Sequence, residues 1–104
     1  MDKEYAIKIT KDYINRLLLN KINLQSAYLF GSFAKGNNHK DSDIDLAIVL
    51  DKVINMFETE INLMTLRKND ETVIEPHIFE KSDFVKVNPF INEILNTGIQ
   101  IKIR

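Results

Sequence analysis

The segment Ile44-Asp45-Leu46-Ala47-Ile48-Val49-Leu50 leaves this chain little choice of architecture. Residues 43–50 read as a strand. Ile44, Leu46, Ile48 and Leu50 lie on one side, and Asp43, Asp45, Ala47 and Val49 on the other. Beyond its first residues this strand is apolar on both sides, so it should be central in its sheet and covered on both faces. Asp43 and Asp45 share a face at its N-terminal end, next to that core. Partly buried charges need a compensating partner. Two neighbouring carboxylates repel each other, and a divalent cation removes the repulsion.

The rest of the chain arranges itself around that strand. Residues 3–20 read as an amphipathic helix, with Ile9, Tyr13, Ile14, Leu17 and Leu18 on one side. Asp2 or Thr10 is its expected cap and Asn20 its stop. Residues 26–30 form a short apolar run ending at Gly31, a buried strand. Residues 32–42 carry Gly36, Asn37, Asn38 and several charges, and read as a loop with room for a short helix after Gly31-Ser32. His39 is expected to be a solvated residue of that loop, and Ser42 to steady it by local hydrogen bonding.

Residues 52–68 carry Ile54, Phe57, Ile61 and Met64 at spacings of three, four and three, the mark of a helix stripe. Residues 72–79 read as a third strand, in which Pro76 lacks an N–H, so it should be an edge strand or bulge there. Asn88-Pro89 opens a last helix with Ile91, Ile94 and Leu95 as its stripe, and Gly98 ends it. Ile99, Ile101 and Ile103 then alternate with Gln100, Lys102 and Arg104, a possible short strand. The order α-β-loop-β-α-β-α describes an α/β (α+β) fold, a small mixed β-sheet with packed helices.

Length and composition bound the rest. The 104 residues, 44% of them hydrophobic, make one domain over 1–104 with a core and no room for a second lobe. A net charge of −1 implies no basic face, so direct nucleic-acid binding is not expected. Without cysteine there are no disulfides and no thiolate metal sites. Met1-Asp2-Lys3-Glu4 places acids where a signal peptide needs bases, and no apolar run approaches a bilayer span. A soluble, cytoplasmic protein with no membrane partner is expected.

Gly31-Ser32 follows an apolar run, a position from which a turn offers backbone N–H groups to a phosphate. The carboxylates of Asp43 and Asp45 are hard oxygen ligands suited to Mg²⁺ carrying a nucleoside triphosphate. A two-metal site, with ions roughly 4 Å apart, needs a further acid. Glu75 is the candidate, set mid-strand among Val73, Ile74 and Ile78, where an unpaired acid would be costly. Asp70, Glu71 and Glu80 lie near strand ends and read as solvated. His77 shares a face with Glu75; it reads as a half-buried structural histidine, with a supporting role beside the acid as the alternative. Tyr5 and Tyr13 read as core or interface.

Gly31-Ser32, ten residues, then Asp43-Ile44-Asp45 resembles the signature of the DNA polymerase beta-like nucleotidyltransferase superfamily. The tighter resemblance, over nearly the whole chain, is to the minimal nucleotidyltransferases called MNT proteins. Ile74-Glu75-Pro76-His77 also looks like their third-acid strand. The resemblance implies transfer of a nucleoside monophosphate from an NTP to a hydroxyl, with Mg²⁺ (two ions, Mn²⁺ as substitute) and release of pyrophosphate. It implies a HEPN-type toxin as partner, with AMP added from ATP to a toxin tyrosine by a type VII-like antitoxin. Carried over, Gly31 and Ser32 would hold the triphosphate, and Asp43, Asp45 and Glu75 would be the metal-binding, catalytic acids. Lys35 stands where many relatives have arginine, and could meet a phosphate as a point charge only. Two alternatives stand beside this: an antitoxin that neutralises by binding alone, and a subunit modifying a small molecule or RNA end. Nothing in the sequence clearly holds an acceptor, which is the reason to expect a partner.

Overall fold

A computed structural model describes residues 2–37 and 42–103. The apolar segment is a central strand in a four-stranded sheet. Strand β1 (Leu24–Phe30) runs antiparallel to β2 (Ile44–Leu50), and β3 (Ile74–Glu80) runs parallel to β2. Strand β4 (Ile99–Gln100) pairs with the outer side of β1, giving the order β3-β2-β1-β4. β3 is an edge strand, which is how the sheet accommodates Pro76 without an N–H. Asp43 lies one residue before β2, and the final strand spans two residues. The expectations for Asn38, His39 and Arg104 lie outside the described residues.

Helix α1 (Lys3–Leu19) begins where the Asp2 carboxylate accepts the Tyr5 N–H at 2.8 Å, and ends at Asn20. Thr10 is not a cap. It sits inside the helix, and its hydroxyl donates to the Ala6 carbonyl. Ala6, Ile9, Tyr13, Ile14 and Leu17 pack on one face of the sheet, against Ala27, Leu29, Ile44, Leu46, Ile48 and Leu50. The buried Tyr13 hydroxyl donates to the Leu63 carbonyl, and burial pushes its pKa up.

The opposite face carries a smaller cluster. Phe30, Ala47 and Ile94 meet there, with Tyr28, Phe79 and Phe84 packed against them. Helix α4 (Pro89–Thr97) covers this face; Asn88 caps it and its buried residues are Ile91 and Ile94. The short helix α2 (Ser32–Lys35) follows β1 directly.

Helix α3 (Met56–Thr65) differs from its expected packing. Asn55 caps it by accepting the Glu58 N–H, which leaves Ile54 outside the helix and fully exposed. Phe57, Ile61 and Met64 are 72%, 46% and 44% exposed, and the residue this helix buries is Leu63. The apolar stripe is real, but it faces away from the core.

Glu71 corrects a second expectation. It is 5% exposed, inside the short turn Asn69–Val73. Its carboxylate accepts from the Arg16 guanidinium and from the Lys68 N–H. Nearby, the Tyr5 hydroxyl donates to Asp70, which raises the Tyr5 pKa. Glu80 is held too: it accepts from the Val53 N–H at 2.8 Å and from the Ser82 hydroxyl.

Candidate active site

Strand register assembles the site. Phe30 stands opposite Asp45 across β1 and β2, and Asp45 stands beside Glu75 across β2 and β3. Gly31 therefore leaves β1 next to the Asp45 carboxylate. Its backbone has φ 75, a conformation that favours glycine. A Cβ at that position would stand 2.5 Å from Asp45 Oδ2, so a side chain could fit only if the carboxylate moved.

Side chains on alternate residues of a strand share a face, and here they converge. His77, two residues after Glu75, brings Nε2 to 3.1 Å from Asp45 Oδ1. Asp45, Glu75 and His77 each offer a ligand atom within 4.8 Å of the others. Asp45 and His77 are partly buried and Glu75 is exposed. The His77 ring is itself held, edge-on to Phe30 with centroids 5.0 Å apart.

Two carboxylates and an imidazole at this separation suit a divalent cation, which would relieve the repulsion between the acids. The set is not the expected one. Asp43 is exposed just before β2 and is not part of this three-residue group. Glu75 is brought in by the parallel register and not by burial, since it faces solvent. His77 is half-buried as expected but bonds directly to Asp45, a contact the shared face with Glu75 hinted at.

Ser32 is half-buried at the start of α2. Lys35 points across to α4, where Nζ pairs with Glu93 Oε1 at 2.9 Å, both side chains about half exposed. A cavity of about 170 Å³ lies under this pair, lined by Phe30, Gly31, Lys35, Phe90, Glu93, Ile94 and Thr97. It adjoins the Gly31 turn, and Phe30 and Phe90 meet edge to face at 5.6 Å in its wall. The Gly31 turn, the acids and the cavity therefore open side by side, at the end of the sheet where β1 finishes and β2 begins.

The chain is similar to known proteins in sequence and in fold. The family model described as polymerase beta, nucleotidyltransferase matches residues 12–104. A protein of Methanocaldococcus jannaschii named "Putative protein adenylyltransferase MJ0141" is 29% identical over 98 residues, 91% of this chain and 94% of that protein. A crystal structure of a nucleotidyltransferase, so named as a putative one, from Sulfolobus solfataricus superposes with a TM-score of 0.67 at 18% identity. It covers 94% of this chain and 80% of that one. A crystal structure described as a toxin-antitoxin with AMP-PNP superposes with a TM-score of 0.59 at 24% identity, covering 88% of this chain and 72% of that one. At these identities the two structures speak for the fold.

Proposed function

From a chain that belongs to the polymerase beta-type nucleotidyltransferase family, we propose a magnesium-dependent enzyme that transfers AMP from ATP to a hydroxyl of a partner toxin. The acceptor in this reading is a tyrosine of a HEPN-type toxin, and the chain is the toxin's cytoplasmic antitoxin. The observation that carries it is the close approach of Gly31 to the Asp45 carboxylate, which Glu75 joins in one group of possible metal ligands. The adenylyltransferase name of the relative supports AMP as the group moved, and the toxin-antitoxin neighbour supports a toxin as the acceptor.

In this reading the Gly31-Ser32 backbone receives the triphosphate, because the first N–H groups of a helix have no partner within it. Asp43, Asp45 and Glu75 would hold the magnesium. A bound divalent ion there would offset the charge of the phosphates and of the acceptor oxygen. The acceptor oxygen forms a bond to the α-phosphorus, the bond from that phosphorus to the α,β-bridging oxygen breaks, and pyrophosphate leaves. The hydroxyl proton passes to a neighbouring carboxylate or to water. Lys35 must exchange Glu93 for a phosphate oxygen to take part, an exchange of low cost for an exposed pair.

Incubation with ATP labelled at the α- or the γ-phosphate, in the presence of the partner toxin, tests this. Label on the toxin from the α position only, lost in Asp45→Ala, supports it. Label from the γ position would mean a kinase. The exposed stripe of Phe57, Ile61 and Met64 favours the second reading, neutralisation by contact. Full neutralisation by Asp43→Ala/Asp45→Ala at equal expression would select that reading over catalysis.

A further inference from the structure

His77 has no part in the reading above, yet it is the residue hydrogen-bonded to Asp45. We propose that its imidazole is a direct ligand of the divalent ion, and that it tilts this centre from magnesium toward first-row transition ions. The proposal deepens the reading of Asp45 and Glu75 as metal-binding acids and rests on it.

Three observations put the ring where a ligand would stand, with binding through Nε2 replacing its hydrogen bond to Asp45. The first is spacing. Adjacent ligands about 2.1 Å from an octahedral ion stand about 3.0 Å apart. His77 Nε2 and Asp45 Oδ1 are 3.1 Å apart, and Glu75 completes a group within 4.8 Å. The second is topology. His77 lies two residues beyond Glu75 on the same face of β3, and its register partner on β2 is Ala47. That small side chain leaves the ring free to lean toward Asp45. The third is orientation. Phe30, which directly precedes Gly31, packs edge-on against the ring at 65° and limits its rotation. The ring is therefore set beside both acids before any ion arrives.

The chemistry follows from the donor set. Magnesium prefers oxygen ligands in near-ideal octahedral geometry and gives up water reluctantly. An imidazole nitrogen suits iron, nickel, copper and zinc, whereas carboxylate oxygens and water suffice for magnesium and manganese. Asp45, Glu75 and His77 together offer two oxygens and one nitrogen, so His77 is the residue that biases the choice.

Manganese is the probe, added to the wild-type protein without nucleotide or toxin. The proposal expects one bound Mn²⁺ whose electron spin-echo signal is modulated by a directly coordinated ¹⁴N. It also expects His77→Ala to weaken Zn²⁺ binding by about tenfold, the low end of what loss of even an outer partner costs a metal site. Mg²⁺ affinity should change far less. Mn²⁺ bound without nitrogen modulation would overturn the proposal and make His77 only an orienting partner of Asp45. Absence of Mn²⁺ binding would overturn it as well. The wild-type spectrum decides the matter even if the variant does not fold. Neither readout involves AMP transfer, so a failure of the transfer reaction would leave this result standing.

Discussion

The α-carbon of Gly31 faces the Asp45 carboxylate so closely that a Cβ would stand 2.5 Å from Oδ2. One residue thus joins two halves of a site. Gly31 ends the strand that carries Phe30, and Asp45 lies on the next strand, opposite Phe30. A triphosphate on the turn and an ion on the carboxylate would be neighbours by construction.

Gly31→Ala should therefore disturb both stability and the acid. The backbone there, φ 75 and ψ −149, is one that essentially only glycine adopts and alone costs an L-residue about 1–3 kcal/mol, and the carboxylate must also shift. Denaturant unfolding should show a loss of at least that size, with metal binding weakened in the protein that remains folded. An Ala variant as stable as wild type would mean that the turn relaxes freely.

Arg16→Ala removes the side-chain partner of the buried Glu71 carboxylate and unties α1 from the turn before β3. Breaking a fully buried pair costs about 3–5 kcal/mol. Arg16 is partly solvent-exposed, so roughly 2 kcal/mol is the expected loss here. Arg16→Lys should restore only part of it, because a lysine is a point charge. Chemical denaturation of the three proteins checks the order.

Glu80 gives a pH signature. Its bonds from the Val53 N–H and the Ser82 hydroxyl hold its pKa below the ordinary value of 4.5. A lowered carboxylate pKa contributes stability that is present above the unfolded value and lost as pH falls through the folded one. The melting temperature of wild type should exceed that of Glu80→Gln at pH 7, and the gap should close as pH falls from about 5 to 3. A gap constant over that range would mean that the charge contributes nothing.

Phe57→Ser and Ile61→Ser test the packing of α3. Both side chains are largely exposed, so each substitution should change stability by no more than about 0.5 kcal/mol. A buried stripe would instead lose about 2–5 kcal/mol. Equilibrium unfolding separates the two.

Much of this molecule was legible in its sequence. Asp2 and Asn20 bound α1, the two apolar faces of residues 44–50 mark a central strand, and Pro76 marks the edge. The turn at Gly31 and the acids at Asp43 and Asp45 stood out by spacing. What periodicity could not supply was direction. The spacing of Phe57, Ile61 and Met64 is that of a helix face, but spacing does not say which face meets the core, and Leu63 does. Nor does local sequence reveal long-range partners. Glu71 is buried because Arg16 reaches it from 55 positions away, and Glu75 and His77 join Asp45 through the β2–β3 register.

In the proposed function the group around Asp45 moves AMP onto a partner protein. Intact-mass measurement of the toxin after co-expression tests it most directly. Wild type should leave the toxin heavier by a whole number of AMP groups, and Asp45→Ala should leave it unmodified. A toxin of unchanged mass that is nonetheless neutralised by the wild-type chain would contradict the claim.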